Sequence, residues 1–252
     1  NLYLAKKFKN IFFSIDTAKW ALDHTANMIF NMTKNSNYFK SSEYKFKIGV
    51  TRPKNQYLFL SDQYSLFSKK IFNENNILAL DYQHGLPEYD DINKRLLEIV
   101  KKNQHKIKLI RVTNSFFKKF LIENDISENK IVQIPLTIDE SFHPVDKNTR
   151  LMIKDKMKLP LDKFIIGSFQ KDGNGWGNGL SPKYIKGPDI FLKSLESIKK
   201  NIPNLYVLLT GPARGYVKDG LKRLGIEYKH LDFLKFNEIP KIYNCLDLYL
   251  IC

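Results

Sequence analysis

The sequence is poor in the residues that several kinds of site require. Its 252 residues hold two cysteines, Cys245 and Cys252, without metal-ligand spacing. That excludes a disulfide framework and points to a reducing compartment. The five histidines (His24, His84, His105, His143 and His230) form no H-x-x-x-H pair, which argues against a zinc site. No apolar run approaches the roughly 20 residues of a membrane helix, and the longest, such as Leu205–Leu209, are strand-sized. There is no G-x-S-x-G elbow. Neither G-x-x-x-x-G-K-[ST] nor G-x-G-x-x-G occurs where a phosphate-binding turn would need it.

Carboxylates are also scarce: 26 Asp and Glu stand against 41 Lys and Arg, a net charge of +15. Such a surplus suits an anionic partner, whether nucleic acid, an acidic membrane surface or a phosphorylated substrate. A plainer reading is that the lysines coat solvated helix faces, since they are scattered rather than blocked. With 43% hydrophobic and 13% aromatic residues the chain can bury a core, which excludes a disordered protein.

Short β-branched or aromatic runs alternate with amphipathic, Lys-rich segments. Strands are expected at 10–15, 46–50, 57–61, 77–82, 107–113 and 130–134, and helices at 17–33, 65–73, 91–102 and 115–124. After Phe142-His143-Pro144 the pattern restarts. Helices are expected at 145–159, 188–200, 216–224 and 237–244, and strands at 163–169, 205–210, 227–231 and 246–251. Strands alternating with helices imply crossover units and parallel sheets covered on both faces. The fold class is therefore α/β with two Rossmann-like domains, 1–144 and 145–252. The last expected strand has no helix after it, so the second domain is expected to be incomplete.

Helix 188–200 shows the reasoning. Pro188 sits at the first helical position, where its missing N–H costs nothing. Asp189 suits the positive helix end, and Lys199 and Lys200 the negative one. Phe191, Leu195 and Ile198 form one apolar face.

Four loops carry candidate chemistry. Gly167–Gly187 (GSFQKDGNGWGNGLSPKYIKG) runs from a strand end through a glycine-rich stretch to a helix start, where free N–H groups favour a phosphate. Lys171 and Lys186 add point charges there. The alternative is a surface loop rich in Asn and Gly. Thr210–Gly215 (TGPARG) follows another strand, where open parallel sheets hold ligands, and Arg214 could fork onto a diphosphate. The alternative is a tight turn. His84, in the loop after 77–82, suits a sugar hydroxyl or phosphate, or else caps a turn. Asp16 could accept hydroxyl hydrogen bonds and Trp20 stack on a sugar, although a helix cap and a core tryptophan serve equally.

In order, these segments resemble family 4 retaining glycosyltransferases of the GT-B fold. The likeness is carried by Val112-Thr113-Asn114-Ser115, Lys130–Asp139 (KIVQIPLTID), Phe142-His143-Pro144, Ile166–Phe169, Lys186–Asp189 (KGPD), Leu208–Pro212 (LLTGP) and Ile239–Leu250 (IPKIYNCLDLYL). The resemblance implies an N-terminal acceptor domain, a C-terminal domain holding a nucleoside diphosphate sugar, and a donor cleft between them. It implies that Lys186 holds the donor diphosphate, with Gly167, Ser168, Lys171, Gly187 and Arg214 around it. His84 would lie near the transferred sugar, Leu231 and Asp232 near the base, and Asp16 and Trp20 on the acceptor side. Two departures stand out. Ser168 replaces the family's usual arginine, whose charge Lys171, Lys183 or Arg214 could supply, and the family's E-x7-E motif, expected after the last strand, is not found in these residues.

The resemblance implies no metal or cofactor beyond the sugar-nucleotide co-substrate, a glycan or lipid acceptor, and no nucleic acid. The few cysteines suit a cytoplasmic protein, and Lys6, Lys7, Lys9, Lys69, Lys70, Lys118 and Lys119 suit peripheral contact with an anionic membrane, although solvated lysines explain the same pattern. The rival classes are a basic nucleic-acid-binding protein and a GT-B epimerase or non-catalytic nucleotide-sugar binder.

Overall fold

The computed structural model describes residues 11–15, 21–32, 36–40, 55–61, 63–67, 71–72, 75–83 and 85–252, with backbone alone at 15, 21–24, 32 and 36–40. The chain divides into two compact units, Asn1–Thr137 and Ile138–Cys252. The sequence pattern put the division after residue 144. Residues 138–144 contact the second unit: Asn244 Nδ2 donates to the His143 carbonyl at 3.0 Å, and the Phe142 ring meets Tyr243 at 5.8 Å.

In the first unit the strands are β1 (Ile11–Ile15), β2 (Ser36–Lys40), β3 (Tyr57–Leu60), β4 (Ile77–Tyr82), β5 (Ile107–Val112) and β6 (Ile131–Gln133). They form one sheet in the order β2-β1-β3-β4-β5-β6, every pairing parallel. The helices are α1 (Ala21–Met32), α2 (Asp91–Asn103) and α3 (Ser115–Glu123). Asp90 caps α2 by accepting the Asn93 amide at 2.7 Å, and Asn114 caps α3 through the Phe117 amide at 3.0 Å. Leu96, Leu97 and Val100 of α2 and Leu121 of α3 pack onto Leu78, Leu80, Ile107 and Ile110 of the sheet.

Two expectations change here. Of the segment expected as helix 65–73, the described residues are 3₁₀, at Gln63–Phe67 and at 71–72. In the first of these turns Gln63, Ser65 and Leu66 are buried. Strand β2 was not foreseen, because SNYFK carries no aliphatic run. The strand expected at 46–50 lies outside the described residues.

The second unit contains α4 (Lys147–Lys156), β7 (Phe164–Ser168), α5 (Pro188–Asn201), β8 (Leu205–Thr210), α6 (Gly215–Arg223), β9 (Glu227–Leu231), α7 (Ile239–Tyr243) and β10 (Leu248–Tyr249). Its sheet runs β10-β7-β8-β9, again wholly parallel. Ile166, Val207 and Leu209 join Phe191, Leu192, Leu195 and Val217 on one face. Ile165 and Leu208, one residue out of phase, meet Leu159, Ile242 and Cys245 on the other. Period-two alternation thus gives each face its own apolar cluster, as a sheet covered on both sides requires.

Chain order fixes where this sheet reverses. From β7 the chain winds through α5 to β8 and through α6 to β9, then returns to place β10 on the opposite side of β7. The crevice at the carboxyl ends of β7 and β10 is therefore a topological switch point, the place where open α/β sheets bind ligands.

Candidate functional site at the switch point

Three segments meet at that crevice: the residues after β7, those after β10, and the start of α5. Leu250 donates its amide to the Gly167 carbonyl at 3.1 Å, which holds the two strand ends together. Gln170 Nε2 donates to the Lys186 carbonyl at 2.8 Å, tying the loop's beginning to its end. Gly187, the residue before α5, adopts φ +60. A Cβ there would lie 2.8 Å from Cys252 Cβ and 2.9 Å from the Cys252 carbonyl carbon. Only glycine combines that backbone with so close a neighbour.

The start of α5 is uncapped. Among the described residues no side chain caps it, and the first backbone bond is from the Phe191 amide to the Gly187 carbonyl at 2.9 Å. Pro188 has no N–H, so the Asp189 and Ile190 amides remain as free donors. Lys186, in the turn immediately before, is exposed, and so is Lys183. The Asp189 carboxylate is exposed in the same turn, so the local surplus of positive charge rests on these two lysines and the helix end.

The glycine-rich stretch is held by its own backbone hydrogen bonds. It folds back on itself: Asn174 donates its amide to the Ser181 carbonyl at 2.9 Å, and Lys183 to that of Asp172 at 2.7 Å. This flap is docked on α6, with the Gly215 and Tyr216 amides donating to the Asn178 and Gly179 carbonyls at 2.8 and 2.9 Å. Gly179, at φ +73, presses on Ala213, where a Cβ would come within 2.1 Å of the carbonyl carbon. The flap therefore occupies the first amides of α6 and closes that helix start to a phosphate. At its tip Trp176 is 66% exposed, and Lys171 Nζ sits 4.0 Å above its ring.

Arg214 is not the exposed fork expected from the sequence. Its side chain is fully buried. Nη1 donates to the Ser168 and Thr210 carbonyls at 2.8 and 2.9 Å, and Nη2 to Ser168 Oγ at 3.0 Å. Nη2 also lies 3.0 Å from Asp172 Oδ2. Arg214 therefore ties the ends of β7 and β8 to the root of the flap. Burial pushes the Asp172 carboxyl above its ordinary value, against the opposing pull of Arg214, and lowers the guanidinium's own value.

Other candidates are likewise structural. Ser168 is buried beneath Arg214, so its hydroxyl does not face the crevice. At Gly167 Leu246 lies over the backbone, where a Cβ would come within 2.3 Å of Cδ1, so packing by itself calls for glycine there. Leu231 packs against the cluster around Leu208. Asp232 is exposed; its carbonyl accepts the Gly211 amide at 3.0 Å and its carboxylate lies 3.2 Å from His230 Nδ1. His84, Asp16 and Trp20 lie outside the described residues, as do Lys6, Lys7, Lys9, Lys69 and Lys70. Lys118 and Lys119 pair with Glu128 at 2.8 Å and Glu123 at 3.6 Å, which reduces the positive face they offer a membrane. Among the described residues no helix is long and apolar enough to cross a membrane.

The first unit has its own buried ion pair, one that sequence reasoning missed. Arg111 Nη1 lies 2.6 Å from Asp81 Oδ2, while Nε and Nη2 donate to the Ile134 and Pro135 carbonyls at 3.0 and 2.7 Å. It binds the carboxyl ends of β4, β5 and β6. An aspartate and an arginine, each one residue before the end of a mainly apolar strand segment, were its only signal.

No family model and no curated protein matches the chain. Solved structures do. The crystal structure of Anabaena HepE in complex with UDP-glucose is similar at a TM-score of 0.67 and 14% identity, over 95% of this chain and 72% of that one. A glycosyltransferase from Rickettsia africae has a TM-score of 0.61 and 14% identity, over 97% and 73%. A UDP-N-acetylglucosamine 2-epimerase from Rickettsia bellii has a TM-score of 0.54 and 13% identity, over 93% and 71%. The chain thus has the parallel, Rossmann-like α/β fold of GT-B glycosyltransferases.

Proposed function

We propose that this chain is a sugar-nucleotide-dependent glycosyltransferase whose second unit holds the donor at the switch point between β7 and β10. The observation that carries this reading is the coincidence, at that crevice, of the uncapped start of α5 and the exposed Lys186. A diphosphate leaving group gains charge as the bond between the donor sugar's anomeric carbon and the diphosphate oxygen breaks, and preorganised N–H groups and a cation stabilise that charge in the transition state. The Asp189 and Ile190 amides and Lys186 supply those groups. The structural likeness to HepE, solved with UDP-glucose, supports a uridine diphosphate sugar as the donor class.

The finer parts of this reading rest on the sequence resemblance. They are transfer to an acceptor hydroxyl with retention, membership of family 4, His84 beside the transferred sugar, and an acceptor site on the first unit near Asp16 and Trp20. A role in cell-surface glycan or glycolipid synthesis, in the cytoplasm and against an anionic membrane face, belongs to the same proposal. Calorimetric titration with UDP, GDP and a sugar phosphate tests the donor site. Lys186→Ala should weaken UDP binding about tenfold, near 1.4 kcal/mol, and lower turnover in parallel. Undiminished UDP affinity in a folded variant would overturn the assignment.

An epimerase reading draws on the likeness to the Rickettsia bellii enzyme. Product analysis separates the two: an epimerase changes the sugar without an acceptor, and a transferase releases UDP only when an acceptor is glycosylated.

A further inference from the structure

A second cavity opens at the other edge of the same sheet, beside Phe164, the first residue of β7, whereas the candidate donor site lies beyond Ser168, the last. Its volume is about 520 Å³, within the usual range of small-ligand sites. Four cationic residues line it, Lys147, Arg150, Lys154 and Lys163, against two carboxylates, Asp162 and Asp247.

The partners of these groups show which charge is left over. Asp247 is already engaged: Oδ1 accepts from Arg150 Nη2 at 2.7 Å and Oδ2 from the Ile165 amide at 2.8 Å. Lys163 pairs with Glu227. Lys154 is different. It is 5% exposed, and its nearest carboxylate oxygen, Asp247 Oδ2, is 4.0 Å away, beyond hydrogen-bond reach. An ammonium carries three donors, and among the described residues no carboxylate comes within hydrogen-bond reach of this one, which lines the cavity. Arg150 Nε, at the same wall, is buried without a hydrogen-bond partner among the described residues.

We infer that this cavity is an oxyanion site, separate from the donor crevice, that takes a phosphate group on Lys154, Arg150 and Lys147. A phosphate brings about −1.5 to −2 charge and strong acceptor oxygens, which matches both the surplus cations and the unfilled donors. The ligand is inorganic phosphate or the phosphate of a small monoester.

The test is calorimetry on the whole chain at constant ionic strength. Inorganic phosphate should bind, and saturating UDP should leave that affinity unchanged. Lys154→Met should weaken phosphate at least tenfold and leave UDP affinity as it was, while Lys186→Ala should do the reverse. Lys147→Ala, at an exposed position, should still fold and should weaken phosphate several-fold, so a misfolded Lys154 variant does not remove the test. Titration with glycerol phosphate distinguishes the sources: tighter binding than inorganic phosphate identifies an organic monoester, and equal or weaker binding the free ion. Absence of phosphate binding, competition by UDP, or indifference to both lysine substitutions overturns the inference. Failure of Lys186→Ala to affect UDP would instead count against the donor site alone.

Discussion

Arg214 and Asp172 form a buried ion pair, 3.0 Å between Nη2 and Oδ2, at the carboxyl edge of the second sheet. Arg111 and Asp81 form another at the carboxyl edge of the first, at 2.6 Å. In each case the guanidinium also collects backbone carbonyls from the ends of neighbouring strands. Loops at a sheet's ligand edge carry backbone acceptors that no ladder satisfies, and a buried arginine satisfies several at once while fixing their geometry.

Removing one partner of such a pair leaves an uncompensated buried charge. Arg214→Met should destabilise the protein by about 3–5 kcal/mol in urea unfolding. The double variant Arg214→Met/Asp172→Leu should recover part of that loss, since no charge then stays buried. Equal destabilisation in single and double variants would show that the carbonyl contacts, not the ion pair, carry the energy.

The Asp172 carboxyl also predicts a pH dependence. Burial raises its folded-state pKa above the unfolded value of 3.8. A raised carboxyl binds protons more readily when folded, so its stabilising contribution is full below the unfolded value and is lost as pH rises through the folded one. The stability of the unmodified protein relative to Asp172→Asn should therefore fall as pH rises across that window. Paired urea melts from pH 4 to pH 7 measure the difference, and a flat or rising difference would contradict the burial-dominated shift.

The glycines of the flap give a graded series. Gly177 has open space around its Cβ position and no positive φ, so Gly177→Ala should be neutral or stabilising by roughly 0.4–1 kcal/mol. Gly175 has equal space but φ +69, so alanine there should cost about 1–2 kcal/mol for the backbone alone. Gly179 combines φ +73 with the Ala213 backbone, and its alanine variant should be the worst of the three. Thermal melts rank them; any other order would mean the flap is not docked on α6 as described.

The sequence made most of the scaffold legible and less of the site. Strands such as 205–210 and helices such as 188–201 follow from periodicity and helix-end chemistry, which are local. The expected last strand, 246–251, forms only at Leu248–Tyr249. Its neighbours serve other ends: Leu246 covers Gly167, and the Asp247 side chain caps the start of β7 through the Ile165 amide. The direction in which Arg214 points was not legible. An arginine after T-G-P-A suits an exposed turn as well as a buried tie, and the difference lies in Asp172, forty-two residues away in sequence and brought close only by the β7–β8 pairing. The turn at Lys186 and Gly187 and the helix start after it were legible because both are written in adjacent residues.

Those two adjacent residues allow the site's geometry to be separated from its charge. Gly187→Ala forces an alanine to φ +60 with Cys252 inside contact distance, and should cost about 2 kcal/mol or more in stability through backbone strain and overpacking. It should weaken UDP as well, because the turn that presents the Asp189 and Ile190 amides must shift. Lys186→Ala touches no buried contact, so its melting temperature should stay unchanged while UDP affinity falls. Lys186→Arg should keep much of that affinity at low salt if the residue acts as a point charge, and lose it if the ammonium's compact geometry matters. If Gly187→Ala leaves UDP affinity intact despite a lower melting temperature, the amides of α5 do not contact the diphosphate, and the lysine alone defines the site.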